Sequence, residues 1–165
     1  MRKRVLCLGN DLLADDALGP LVARRLRQLA LPNVEVVETA ETGFYLLESL
    51  LNCSSLLVVD TIVSGNFPPG TVRLLREEDV ATIPGTSPHY VGLFEALTVG
   101  RALQLSVPET LTLLVVEAGD CLTVGGEMHP AVEKAIASVA EMVCALVAEP
   151  PGPRAACTVG DHEIF

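Results

Sequence analysis

The chain reads as an α/β protein. The class expected is a three-layer α/β/α sandwich around a five-stranded, mostly parallel twisted sheet with one antiparallel edge strand. Three observations predict it. Short aliphatic runs alternate with longer amphipathic stretches in the order β-α-β-α-β-β-α-β-α, and right-handed crossovers between such strands place helices on both faces of one sheet. Half of the 165 residues are hydrophobic and 19% are charged, which favours a packed core over disorder. Tryptophan is absent and 4% of residues are aromatic, so that core must be aliphatic. The length suits one domain, residues 1–148, burying roughly two thirds of its unfolded surface.

Residues 5–8 (Val-Leu-Cys-Leu) end in a Gly-Asn turn and read as a buried central strand. Residues 17–29 carry Leu18, Leu21, Val22, Leu26 and Leu29 with arginines between them, the spacing of an amphipathic helix. Asp15 or Asp16 can cap it, and Pro20 falls in the first turn, where its missing N–H costs little. A second strand, 34–37, follows the Pro32-Asn33 turn. A helix over 43–51 would present Phe44, Leu47 and Leu51 on one face. Residues 56–59 form the third strand. Residues 71–75, after Pro68-Pro69-Gly70, alternate as an edge strand does. Ser87 and Pro88 suit the cap and first position of a helix running from His89 to about Leu103. Residues 111–116 are the fifth strand. The last helix spans 130–148, with Val132, Ile136, Val139, Val143 and Leu146 at helical spacing. Beyond it, the Pro-Pro-Gly-Pro run opens a tail over 149–165 expected to be flexible, His162 included.

Composition excludes several functions. Eleven basic against 21 acidic side chains give a net charge of −10, which repels polyphosphates and disfavours nucleic acid as a partner. The basic N-terminus and residues 5–8 resemble the start of a signal peptide, but Gly9-Asn10-Asp11 ends the apolar run too soon and no small-residue cleavage site follows. The longest apolar stretch, 135–148, carries Glu141 and falls short of the ~18 residues of a membrane span. A cytoplasmic protein acting as a monomer is expected. The five cysteines (Cys7, Cys53, Cys121, Cys144, Cys157) include no C-x-x-C pair and read as buried thiols, not as a zinc or redox motif.

Candidate chemistry lies where strands end, because ligand sites of open parallel sheets form at the strand C-termini. Asp16 follows the first strand, Asp60 closes the third and His89 opens a later helix. Each has a plain structural alternative: a cap for Asp16, an Asx-turn for Asp60, a capping or partly buried ring for His89. The helix dipole would keep His89 neutral, the form that ligates metal. Together they offer two oxygens and one nitrogen, a set that leaves coordination positions open on a divalent ion. Glu38 and Glu41 could line the same cleft or be solvated loop acids. Gly43 would supply an unusual backbone conformation or a close approach. Asn10 would satisfy its own loop.

With these residues in view, the chain resembles the hydrogenase maturation endopeptidase family, which processes the large subunit of nickel–iron hydrogenases. The matching pieces are Gly9-Asn10-x-Leu12-x-x-Asp15-Asp16-x-x-Gly19, Val59-Asp60-Thr61, Pro69-Gly70-Thr71 and Ser87-Pro88-His89-x-x-Gly92-Leu93, in order over about residues 4–147. The resemblance implies that Asp16, Asp60 and His89 form both the catalytic and the metal-binding site. The implied reaction removes a C-terminal extension from a nickel-loaded precursor, with nickel borne by the substrate and Zn²⁺ or Cd²⁺ as surrogates. Two departures stand out: Asp16 occupies a position where several members carry glutamate, and residues 38–43 (Glu-Thr-Ala-Glu-Thr-Gly) replace a pattern richer in glycine and led by aspartate. Water activated by metal and a carboxylate base, Asp16 or Asp60, both fit the reaction. The rival reading is a flavodoxin-like small-molecule or metal-binding module without catalysis. No P-loop or G-x-G-x-x-G follows the first strand to support it.

Overall fold

The computed structural model describes residues 3–82 and 88–148. The expected tail with His162 and Cys157, and the Ser87 cap, lie outside the described residues. The strands are β1 (Lys3–Leu8), β2 (Val34–Thr39), β3 (Ser55–Ile62), β4 (Val72–Arg76) and β5 (Thr110–Glu117). The helices are α1 (Leu18–Gln28), α2 (Leu46–Leu50), α3 (Pro88–Ala102) and α4 (Pro130–Ala148), with 3-10 turns at Ala14–Ala17, Gly43–Tyr45 and Glu77–Thr82. The strands form one sheet in the order β2-β1-β3-β5-β4, parallel except for antiparallel β4 at one edge.

The pleat sorts the core into two halves, because successive side chains of a strand point to opposite faces. Val5, Cys7, Leu57, Val59, Leu114 and Val116 meet α1 and α4 on one face. Leu6, Leu8, Leu56, Val58, Leu113 and Val115 meet α2 and α3 on the other. The three central strands are buried on both sides, which is why they read as continuous aliphatic runs.

The same alternation assigns directions at the end of β3. Asp60 shares the parity of Leu56 and Val58 and faces α3; Thr61 shares that of Leu57 and Val59 and faces α1. β3 runs on to Ile62, so Asp60 lies inside the strand and does not close it. Pairing with β5 through Asp60–Val115 and Thr61–Val116 carries the strand past a residue that disfavours β structure.

Other expectations need correction. Neither Asp15 nor Asp16 caps α1; its N-cap is Ala17, without a side-chain bond, and both acids sit in the preceding 3-10 turn. That turn shifts the helical register, yet Leu18, Val22 and Leu26 still face the core, while Leu29 lies beyond the helix and is exposed. Residues 43–51 split into a 3-10 turn and a short α-helix. Leu46 and Leu50 are buried there and Phe44 is exposed, because three residues per turn do not keep the phase of 3.6. Among the described cysteines Cys7 and Cys53 are buried, but Cys121 and Cys144 are only half-buried; all four are free thiols.

Burial pushes the Cys7 thiol up to about 12 from 9.0. The native state keeps this group neutral where the unfolded chain ionises it. Its contribution is therefore intact below pH 9 and is lost as pH climbs through the folded value. Urea unfolding at pH 8, 9, 10 and 11 should show Cys7→Ala losing stability less steeply than wild type above pH 9, by up to ~1.4 kcal/mol per pH unit. Parallel curves for the two proteins would refute this.

Candidate metal centre

The order β2-β1-β3 places a topological switch between β1 and β3: the chain leaves β1 toward one side and returns as β3 on the other. Crevices at such points, beyond the strand C-termini, hold ligands in open α/β sheets. Asp16, Asp60 and His89 meet there. Asp16 arrives from the 3-10 turn after β1, Asp60 from β3, and His89 from the second position of α3. One donor atom from each lies within 4.8 Å of the other two. All three are buried, Asp60 completely.

Each side chain is held. Asp16 Oδ2 accepts the Asn10 backbone N–H at 2.8 Å, and Oδ1 accepts the Thr61 hydroxyl at 3.0 Å. Asp60 Oδ1 accepts the Thr61 backbone N–H at 2.8 Å. His89 Nδ1 lies 3.1 Å from the Glu41 carbonyl, an acceptor, so Nδ1 carries the proton. Nε2 then faces Asp16 Oδ2 at 4.0 Å, with its lone pair toward the cleft in the neutral ring. This backbone-to-imidazole contact is what orients ligating histidines.

The α3 dipole, expected to disfavour charge on His89, is opposed by other groups in the cleft. Burial does oppose charge on the ring, but the neighbouring Asp16, the Asp60 carboxylate and the Glu41 carbonyl outweigh it and raise the pKa above its ordinary value. A metal ion binds the neutral ring, so it competes with protons for Nε2. The carboxylate pair that favours charge on the ring also makes the pocket attractive to a cation.

Glycines bring Glu41 to His89. Gly43 has φ +63, and a Cβ on Gly92 would stand 2.1 Å from Gly43 N and 2.3 Å from its Cα. α3 therefore packs backbone to backbone against the loop after β2, with His89 and Glu41 at one end of the contact. Gly43 thus serves as expected, in both conformation and approach. Glu41 contributes its carbonyl while its side chain is exposed, and Glu38 pairs with Arg27 at 2.6 Å. Neither glutamate side chain is among the donors gathered in the cleft. Asn10 does satisfy its loop, its Oδ1 accepting from Leu12 N at 3.0 Å.

Asp15 turns away from the cleft. Its buried carboxylate accepts the backbone N–H groups of Gly119 (2.7 Å), Asp120 (3.0 Å) and His129 (2.6 Å), tying the turn that carries Asp16 to the loop between β5 and α4. Asp15→Ala strands three donors and should cost about 2–3 kcal/mol in urea unfolding, with Asp15→Asn in between. A loss below 0.5 kcal/mol would count against this latch.

Two carboxylate oxygens and one imidazole nitrogen suit a first-row divalent ion, and three protein donors leave positions for substrate or water. The donor set fits such an ion.

Comparison with known proteins places the fold and the family. A family model described as hydrogenase maturation protease matches residues 20–146. The chain belongs to the hydrogenase maturation protease family. It is therefore a peptidase, and the rival reading as a non-catalytic binding module is not favoured. Among family relatives, the hydrogenase 2 maturation protease of Escherichia coli is 35% identical over 152 residues, 86% of this chain and 92% of the relative. The hydrogenase expression/formation protein HupD of Rhodobacter capsulatus is 29% identical, covering 99% and 93% of the two chains. The solved hydrogenase maturating endopeptidase HybD of E. coli superposes with a TM-score of 0.77 at 32% identity, over 90% of this chain and 93% of that one. The fold expected from the sequence is thus the fold of a family member.

Proposed function

We propose that this protein is the endopeptidase that removes the C-terminal extension of a nickel-loaded [NiFe] hydrogenase large-subunit precursor. The observation that carries the reading is the convergence of Asp16, Asp60 and His89 at the switch point of the sheet. Family membership supplies the reaction class, and the names of the relatives supply the client.

In this reading nickel arrives as cargo of the precursor. Asp16, Asp60 and His89 complete its coordination and so draw the scissile peptide into the cleft, with Zn²⁺ or Cd²⁺ as laboratory surrogates. A divalent ion there polarises a carbonyl and acidifies bound water. The chain's own groups supply orientation and proton transfer: Glu41 fixes the His89 tautomer, and a carboxylate, Asp16 or Asp60, takes the proton from the attacking water. An acyl-enzyme route is disfavoured, because the Cys121 thiol beside the cleft is pushed up to about 12 by burial and by nearby carboxylates, which outweigh the Thr61 hydrogen bond, and thiols in that state are poor nucleophiles.

The protein acts in this reading as a monomer in the cytoplasm, without nucleic acid or membrane. No helix among the described residues is long and apolar enough to cross a membrane. The test pairs nickel-loaded and nickel-free precursor with wild type and His89→Ala. Wild type is expected to cleave the loaded precursor alone, and His89→Ala neither. Equal cleavage in all four combinations would sink the mechanism.

A further inference from the structure

Thr61 stands between the two aspartates. It is 3% exposed, its hydroxyl lies 3.0 Å from Asp16 Oδ1 and its backbone N–H donates to Asp60 Oδ1 at 2.8 Å. The two directions follow from the pleat: the backbone of residue 61 adjoins the Asp60 side chain, while its own side chain turns to the α1 face, where Asp16 enters.

The hydroxyl has one proton to give. That proton goes to Asp16 Oδ1. Cys121 Sγ lies 3.5 Å from Thr61 Oγ1 and fills the other role, with its S–H directed at a hydroxyl lone pair. The thiol stays protonated across the physiological range, so it remains a donor. The chain Cys121 S–H to Thr61 O–H to Asp16 thus has a single direction, and each bond polarises the next.

We propose that Thr61 is a positioning residue of the metal centre, fixing both carboxylates at once: one by its hydroxyl, the other by its backbone N–H, with Cys121 setting the hydroxyl rotor from behind. This rests on the metal-binding reading of Asp16, Asp60 and His89. The Asn10 N–H holds one oxygen of Asp16 and Thr61 the other, so without the hydroxyl the carboxylate can turn about its remaining anchor, whereas with both it meets the ion preformed. Hydrogen-bond partners behind ligands in other metal sites change affinity 10–100-fold when removed.

The experiment titrates Cd²⁺ alone into the 165-residue chain by calorimetry, with the melting temperature of each metal-free variant measured alongside. Thr61→Val keeps the shape and removes the hydroxyl; it should weaken Cd²⁺ binding 10–100-fold. Thr61→Ser restores the hydroxyl and should bind within about threefold of wild type. Should the valine variant not fold, Thr61→Ala is put to the same criterion. Valine or alanine binding as tightly as wild type overturns the proposal. So does a serine variant as weak as valine, since the methyl and not the hydroxyl would then matter. Wild type that takes up no Cd²⁺ sinks the metal reading itself, a failure distinguishable from that of Thr61.

Discussion

Asp60→Asn is expected to lower precursor cleavage by on the order of 10²–10⁴-fold while leaving the metal-free protein as stable as wild type or more so. Asparagine has the same shape and keeps an oxygen for the Thr61 N–H. What it removes is a completely buried carboxylate that shares its pocket with Asp16 and His89. Two carboxylates in one low-dielectric crevice repel when both are ionised, and a cation in the site relieves that repulsion. Relief of ~1 kcal/mol would raise the melting temperature by about 2–4 °C. Cd²⁺ affinity should fall in parallel with activity, because one of three donors has lost its charge. Calorimetry with and without Cd²⁺, beside a cleavage assay, reads both effects. A variant that melts several degrees lower and keeps its activity would mean that Asp60 is a scaffold residue.

Gly92→Ala is expected to be among the most damaging methyl additions at the described glycines. The added Cβ would meet the backbone of Gly43 at 2.1 and 2.3 Å, and backbone cannot rotate out of the way as a side chain can. Either α3 lifts from the loop or the loop is displaced, and both separate the Glu41 carbonyl from His89. Overpacking a tight contact costs about 1–3 kcal/mol or more, and this one sits at the top of that range. A fall of about 10 °C in melting temperature follows. Cd²⁺ affinity should drop at least tenfold as the His89 ring loses its orientation. Gly119→Ala is the matched control: its methyl meets nothing nearer than 3.5 Å and should cost under ~1 kcal/mol. Equal melting temperatures for the two alanine variants would contradict the packing of α3 on Gly43.

The sheet and the identity of the three cleft residues were legible because they rest on strong local signals. Aliphatic runs such as Val58-Val59 have no stable place except between two helical layers, and an acid next to them is conspicuous. The supports were not legible, for a physical reason in each case. Glu41 acts through a carbonyl, which every residue has, so no side-chain pattern marks it. Thr61 reads as an ordinary strand residue until the pleat assigns it to the α1 face. Asp15 and Asp16 look interchangeable along the chain. The 3-10 turn separates them, one toward the metal cleft and the other toward three N–H groups of the loop after β5. The extension of β3 through Asp60 was missed because β5, far along the sequence, supplies the pairing that makes it a strand.

The parallel pairing of β1 with β3 has a consequence for biogenesis. Asp16 and Asp60 leave the ribosome early, but the helix bearing His89 and the β5 segment that steadies their strands are synthesised later, and distant pairings close slowly. A nascent chain therefore holds the acids before the imidazole. Under the proposed function, hydrolytic competence waits until α3 has settled on the finished sheet. Latency during translation then follows from the order in which these segments are made.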